Sequence, residues 1–286
     1  MVLKNDCTAL DIKKACEILQ EGTPHLIEVI SLYGEIFALQ QETMHTVNSA
    51  SAALSEDLVQ IKLEHGFPLL SRSDFIIDMD EAEKLSEQIC EICRDLKINA
   101  LESIEKIRSL ITDKKTDFKS MVGNYLGDDP AWLDSFSKTH GLDRENLEFL
   151  VYNSIKPFIV KEANQVTAYL ETSTGEHQGF CPVCGSGPAV SILSDNGSRS
   201  FACSFCWHEW PSERIFCPFC NTKDSKHLSY LYVEDKKGVR GDVCDNCRKY
   251  IKTIDTRELN RNIFLPLEII CTLPLDIKLR EDGYTS

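Results

Sequence analysis

The chain has 286 residues, of which 42% are hydrophobic and 27% are charged, a composition that excludes a disordered chain and allows a real core. Its formal net charge of -14 arises entirely in the first part. Residues 1–178 contain 31 acidic and 17 basic residues, whereas 179–286 contain 14 of each. A strongly acidic protein repels phosphate backbones, which argues against nucleic-acid binding.

The chain shows no membrane or export pattern. It contains no run of about 18 apolar residues, so we expect no membrane-spanning helix. Its first sixteen residues have no apolar h-region and predict no secretory signal. A cytoplasmic location is therefore expected, where thiols stay reduced and paired cysteines indicate metal ligands or redox groups.

Residues 1–178 are predicted to form an acidic bundle of roughly six to eight helices. Thr23 followed by Pro24 predicts a helix start, because a hydroxyl N-cap and proline in the first turn both favour one. Asp129, also followed by proline, predicts another start. Asp143 is predicted to cap the last long helix, with a kink at Pro157. Residues 171–180 are polar and predict a linker.

Few residues of this bundle indicate a chemical function. Cys90 and Cys93 are one helical turn apart, but no second Cys or His pair lies nearby, so we interpret them as small apolar residues of the buried face. The acidic run 78–81 is typical of a solvated helix start. A docking surface for a basic partner segment is the alternative interpretation of that run.

The second part of the chain contains four Cys-x-x-Cys pairs, separated by 18, 10 and 23 residues. Each such turn directs two thiolates to one point, and two turns supply the tetrahedral sulfur shell of zinc or a single iron. The pattern therefore predicts two four-thiolate metal sites. The predicted ligands are Cys181, Cys184, Cys203, Cys206, Cys217, Cys220, Cys244 and Cys247.

The segments between the pairs predict which cysteines share a metal. Alternating residues flank a turn at 195–197, which predicts a β-hairpin between the first and second pairs, and a charged turn at 234–238 predicts the same between the third and fourth. The chain thus contains a repeated ribbon or rubredoxin-like unit, 181–206 and 217–247, with one metal each. An interleaved assignment, joining the first pair to the third, stays open but needs a crossed topology.

Closed four-thiolate shells have no open position, which argues against metal-dependent hydrolysis. His208 follows a ligand cysteine but is not needed for either shell. Trp207 and Trp210 are expected to pack the units together or onto the bundle, with a partner-binding surface as the alternative. Arg214 either pairs with an acid across the unit interface or faces a partner.

These motifs resemble those of the FdhE family of formate dehydrogenase accessory proteins. The resemblance lies in C-P-V-C-G-S-x-P at 181–188, in C-x-x-C-x-x-x-W-x-x-x-R-x-x-C-x-x-C at 203–220, and in C-D-x-C-x-x-Y-x-K at 244–252. The later stretch 276–284 is similar to the family's C-terminal helix and Gly-Tyr ending. Over the helical part the resemblance is one of architecture and length.

The resemblance implies a cytoplasmic maturation factor, chaperone-like rather than enzymatic, that binds the catalytic subunit of a respiratory formate dehydrogenase during assembly. It also implies iron in rubredoxin-like sites, with zinc possible, held by the eight cysteines named above. No catalytic residue, no nucleic-acid partner and no membrane insertion are expected.

The predicted fold class is α+β, with the all-α bundle followed by two tandem ribbon units. The predicted division is 1–178 for the bundle, 179–212 for the first ribbon, and 213–286 for the second ribbon with a C-terminal helix. An iron-thiolate redox or oxygen-sensing protein is the alternative function. A thiol–disulfide oxidoreductase and a nucleic-acid-binding zinc ribbon fit the pattern less well.

Overall fold

Helices fill the first part of the chain. The computed structural model describes residues 7–47, 54–172, 179–232, 237–259 and 261–286. Within those ranges it has eight α-helices before the cysteine-rich part, as the sequence predicts. They are α1 (Ala9–Gly22), α2 (Ile27–Thr46), α3 (Glu56–Glu64), α4 (Met79–Asp95), α5 (Leu101–Thr112), α6 (Phe118–Leu126), α7 (Pro130–His140) and α8 (Arg144–Val166).

The helix starts follow local capping chemistry. Asp129 accepts a hydrogen bond from the Trp132 backbone N–H at 2.9 Å, as expected for the N-cap of α7. The prediction at Thr23 is wrong in detail. Its hydroxyl donates back to the Leu19 carbonyl at 2.6 Å, and Pro24–Leu26 form a 3-10 turn, so α2 begins only at Ile27.

Helix α8 is the centre of the bundle. Its predicted apolar stripe is buried, consisting of Leu147, Leu150, Val151 and Ile155. Pro157 lies inside this helix, which nevertheless continues to Val166. Helices α2, α4, α5, α6 and α7 all contact α8, so its residues position most of the bundle.

The cysteine-rich part forms a single six-stranded sheet with the order β3-β2-β1-β6-β5-β4. Each predicted hairpin is present and is extended by a third antiparallel strand. Strands β1 and β6 then pair in parallel, which joins the two ribbons. The strands are β1 (Pro188–Leu193), β2 (Arg199–Cys203), β3 (Glu209–Ser212), β4 (Leu228–Tyr232), β5 (Val239–Cys244) and β6 (Lys249–Asp255).

The two faces of the sheet have different neighbours. Two short helices, α9 (Leu265–Ile270) and α10 (Leu273–Glu281), follow the sheet, where the sequence predicted one, and contribute to the apolar clusters on one face. Gly241 permits this packing, since a Cβ there would lie 2.5 Å from the Leu279 side chain. On the other face, Phe201 and Ile251 belong to the same core as the bundle.

Two sequence-based predictions fall partly outside the described residues. Residues 173–178 of the predicted linker 171–180 and residues 234–236 of the predicted turn 234–238 lie outside the described residues. These parts of the two predictions stay predictions. Among the described residues, no helix combines the length and apolar character needed to cross a bilayer.

Candidate metal centres

The four Cys-x-x-Cys turns have one backbone design. The residue after the second cysteine adopts a positive φ in every turn, with values from 57° to 74°. In three of the turns this residue donates its N–H to the carbonyl of the first cysteine at 2.8 to 2.9 Å. The turn therefore closes tightly and directs both sulfurs to one side. The four positive-φ residues are Gly185, Trp207, Asn221 and Arg248.

The first cluster joins the first two pairs. The sulfurs of Cys181 and Cys206 lie 3.6 Å apart, and those of Cys184 and Cys203 lie 3.4 Å apart. All four residues are buried, and all four sulfurs lie within 4.8 Å of one another. The Phe205 and Cys206 backbone N–H groups donate to the Cys203 sulfur at 3.3 and 3.4 Å, which stabilises negative charge there.

The helical part encloses the first cluster. The Leu69 and Leu70 backbone N–H groups donate to the Pro182 and Val183 carbonyls at 3.0 and 2.8 Å. From α8, the Tyr152 hydroxyl donates to the Phe205 carbonyl at 2.8 Å. Both cysteine turns of this cluster are thus bonded to the bundle.

The second cluster joins the last two pairs and is more open. Sulfur separations are 3.7 Å between Cys217 and Cys247 and 3.7 Å between Cys220 and Cys244. Cys220 and Cys247 are half-buried, unlike every member of the first cluster. The Asn246 side-chain amide donates to the Cys220 sulfur at 3.4 Å. The interleaved arrangement is therefore absent from these two clusters.

The donor sets fit tetrahedral metal ions. Metal–sulfur bonds of about 2.3 Å in a tetrahedron place the sulfurs about 3.8 Å apart, close to the separations found here. A disulfide needs about 2.05 Å, and all eight cysteines are free thiols. Each cluster could hold one metal ion.

Electrostatics also favour a bound cation. Burial raises the pKa of Cys206 well above its ordinary value. Hydrogen bonds from Cys181 and then from its other cluster partners hold the pKa of Cys184 below its usual range. Gathering four thiolates in such a buried volume needs a positive charge at its centre. A divalent cation supplies that charge, so metal and thiolate formation depend on each other.

Other residues considered from the sequence lie elsewhere. Cys90 and Cys93 are buried on α4, and burial raises their thiol pKa values to about 12 and about 11, which suits neutral core residues. His208 is outside both clusters, with Nδ1 3.3 Å from the Thr167 hydroxyl. Trp207 and Trp210 pack inward. The Trp207 indole N–H donates to the Tyr152 hydroxyl at 3.1 Å, and Trp210 is buried in the shared core.

Sequence reasoning missed a small cavity of about 40 Å³ between α2, α8 and the first ribbon. Lys156 lines it, with Nζ 4.2 Å from the Phe37 ring centre and 4.9 Å from the Trp207 ring centre. The buried Gln41 Oε1 has no hydrogen-bond partner among the described residues. One usable pattern was present, since Lys156 is the single charge in the apolar run 155–160.

Comparison with known proteins indicates one family. The model of the FdhE central domain matches residues 180–214. The chain is 24% identical to the Protein FdhE homolog of Aquifex aeolicus over 277 residues, covering 93% of this chain and 89% of that protein. It is 26% identical to the Protein FdhE homolog of Pectobacterium atrosepticum over 240 residues, covering 79% of this chain and 74% of that protein.

A solved structure has the same fold. The crystal structure of the FdhE protein from Pseudomonas aeruginosa matches with a TM-score of 0.64 at 22% sequence identity. The match covers 99% of this chain and 94% of that chain. The similarity thus extends over the helical bundle as well as the cysteine-rich sheet.

Proposed function

We propose that this chain, which is similar to FdhE homologues over most of its length, is an FdhE-type formate dehydrogenase accessory protein and binds the catalytic subunit of a respiratory formate dehydrogenase during that enzyme's assembly. The observation that carries the proposal is the match over 93% of the chain to an FdhE homologue, together with the two four-cysteine clusters. Its place of action is proposed to be the cytoplasm.

The two clusters are proposed to be metal sites, with iron favoured by the family resemblance and zinc as the alternative. Either ion accepts a tetrahedral thiolate shell. Such a shell leaves no position for a substrate, which supports an accessory rather than a catalytic role. The proposed ligands are Cys181, Cys184, Cys203 and Cys206 for one ion, and Cys217, Cys220, Cys244 and Cys247 for the other.

The chain is proposed to be organised as a bundle over 1–178, a first ribbon over 179–212, and a second ribbon with the C-terminal helices over 213–286. The third strand of the first ribbon ends at Ser212, which supports the second boundary. The bundle and the first ribbon share apolar core residues, so we do not propose that they fold separately.

A redox or oxygen-sensing role for iron is the second candidate. It is favoured by one observation, the partial exposure of Cys220 and Cys247 in the second cluster. An exposed iron–thiolate site can exchange electrons with a partner or react with oxygen more readily than a buried one. Such a role would require a reversible ferric–ferrous change at that cluster.

The proposed client is tested by isolating the affinity-tagged full chain, without oxygen, from a host respiring on formate. We expect mass spectrometry to find the formate dehydrogenase catalytic subunit well above the amount retained by the same tag on an unrelated protein. Equal amounts in the two isolations would contradict the proposed client.

Metal analysis of the same material tests the proposed sites. We expect about two metal ions per chain, and ferric–thiolate colour on exposure to air if the metal is iron. Two zinc ions and no colour would eliminate the redox alternative. A folded chain with far fewer than two ions would contradict the metal sites themselves.

A further inference from the structure

A groove of about 310 Å³ lies on the sheet beside the second cluster. Its floor is formed by β4, β5 and β6, and its wall by residues 214–219, which join the two ribbons. Strand β4 is at the edge of the sheet.

The charges on the floor of the groove are already matched. The Asp242 carboxylate accepts hydrogen bonds from Arg199 Nη2 at 3.1 Å, from Arg240 Nε at 2.8 Å and from the Thr253 hydroxyl at 2.8 Å. The side chain of Arg199 is only 3% exposed, and its Nη1 donates to the Phe216 carbonyl at 2.8 Å. These groups therefore hold the wall against the sheet rather than facing a ligand.

Two further cations at the groove are not matched in this way. Arg214 donates to the Gly197 carbonyl at 3.2 Å, and Lys249 Nζ lies 5.0 Å from the Phe219 ring centre. Within the described parts of the chain, neither side chain has a carboxylate partner. Arg214 is exposed and Lys249 is half-buried, so both can reach a ligand in the groove.

Apolar surface lies beside these cations. Tyr230 is 55% exposed and Ile215 is 50% exposed, and both line the groove. The Arg240 guanidinium lies 4.7 Å from the Tyr230 ring centre, which fixes that ring over the sheet. Exposed aromatic and aliphatic side chains next to free cations are typical of surfaces that bind polypeptides.

The local charge is opposite in sign to that of the whole chain. The groove is lined by four cationic side chains and one carboxylate. The four thiolates of the adjacent cluster and a bound divalent ion would together contribute about -2, which leaves the groove slightly positive. The chain as a whole carries -14, so this groove is where an acidic ligand meets attraction rather than repulsion.

We propose that the groove binds an acidic, extended segment of the partner polypeptide. Its carboxylates would pair with Arg214 and Lys249, and an apolar side chain would lie on Tyr230 and Ile215. The identity of the partner rests on the proposed function and is the formate dehydrogenase catalytic subunit. A polynucleotide offers the same charge, but the net charge of -14 opposes it.

The test measures the affinity of the full-length, metal-loaded chain for the purified catalytic subunit at low and at high salt. The variant is Arg214→Glu with Lys249→Glu. Its matched control is Lys119→Glu with Lys138→Glu, two exposed lysines on α6 and α7 that change the net charge equally. We expect the groove variant to bind about tenfold or more weakly, and the control to change less than about threefold.

Metal content and thermal stability are measured for every variant, and Arg214→Glu alone replaces the pair if Lys249→Glu disturbs the nearby cluster. Equal losses in the groove and control variants would overturn the proposal, because only net charge would then matter. If the wild-type chain binds the catalytic subunit and the groove variant binds it equally well, this inference is overturned while the proposed function stands. Absence of wild-type binding would contradict the proposed function itself, and binding abolished by nuclease would assign the groove to a polynucleotide.

Discussion

Lys156 shows how one residue of α8 sets a cost for the fold. It is 7% exposed and has no carboxylate partner among the described residues. Burial lowers its pKa to about 7 from an ordinary value of 10.5. The rings of Phe37 and Trp207 offset part of that cost by facing the ammonium group.

The sign of the resulting pH dependence follows from linkage. The unfolded chain binds a proton at Lys156 up to about pH 10.5, whereas the folded chain loses it near pH 7. Between these values the unfolded state holds more protons, so the free energy of unfolding contributed by this group rises with pH. Below about pH 7 the full penalty applies, about 5 kcal/mol at 1.36 kcal/mol per unit of pKa.

We therefore expect Lys156→Met to stabilise the protein by a few kcal/mol at pH 6, since methionine keeps the aliphatic stem and carries no charge. The gain should shrink as the pH rises to 9. Thermal unfolding of wild type and variant across that range measures it, with the exposed Lys138→Met as control. A lower melting temperature of Lys156→Met at pH 6 would show that the ammonium group stabilises the fold.

The role of a residue can be predicted from the sequence where a local pattern by itself determines the geometry. The spacing of the eight cysteines predicted the two groups of four that the structure brings together, because a Cys-x-x-Cys turn is a local geometry. Lys156 stands out in the sequence only as the single charge of the apolar run 155–160, and no local pattern marks Asp242. Their environments come from residues distant in sequence, such as Phe37 for Lys156 and Arg199 for Asp242.

At the scale of elements, the two ribbons repeat a backbone but differ in their surroundings. The first ribbon is enclosed by the bundle, whereas the second presents two of its four cysteines partly to solvent. Metal exchange needs local opening, and opening is easier where fewer contacts break. The repeat therefore provides two chemically similar sites of different accessibility.

We expect a chelator to remove the metal ion of the second cluster from the native protein about ten times faster than that of the first. Cys220→Ala should abolish the fast phase with little effect on helix content, because Cys220 is partly exposed, whereas the cysteines of the first cluster are buried in turns that are hydrogen-bonded to the bundle. The number of metal ions bound per chain, measured over time after the chelator is added, gives the rates of the fast and the slow release. Equal release rates from both sites, or a fast phase that survives Cys220→Ala, would contradict this assignment.

The strands that the sequence did not predict explain why the two ribbons form one continuous sheet rather than two separate units. Strand β3 is four residues long and contains Pro211, so neither length nor alternation marks it. Strand β6 follows the last cysteine turn directly, and its parallel partner β1 lies about sixty positions earlier. Hairpin turns are local and readable, whereas this pairing depends on the packing of the whole sheet.

At the scale of the molecule, the bundle and the first metal cluster share one packed core. Phe205, between two cysteines of the first cluster, is 2% exposed and lies 5.5 Å from the Phe75 ring centre. The Arg72 guanidinium lies 4.8 Å from its ring. Phe219 has the same place in a turn of the second cluster but is only half-buried. Both side chains pack on the core that includes the bundle, but Phe205 is buried and Phe219 only partly so, which makes them a matched comparison of a deeply and a shallowly packed turn.

We expect Phe205→Ala to destabilise the chain by about 3 to 5 kcal/mol, since it opens a cavity between the ribbon and the bundle. Phe219→Ala should cost about half of that or less, because its ring is already partly in water. The circular dichroism signal of the helices, followed on heating, measures the loss of stability in each variant. Neither phenylalanine lies in a helix, so the signal reports an effect on the bundle. An equal loss in the two variants would mean that the first cluster stabilises the bundle no more than the second. A larger loss for Phe205→Ala would instead identify the buried cysteine turn as part of the bundle's own core, which leaves the second ribbon as the part free to respond to a metal or a partner.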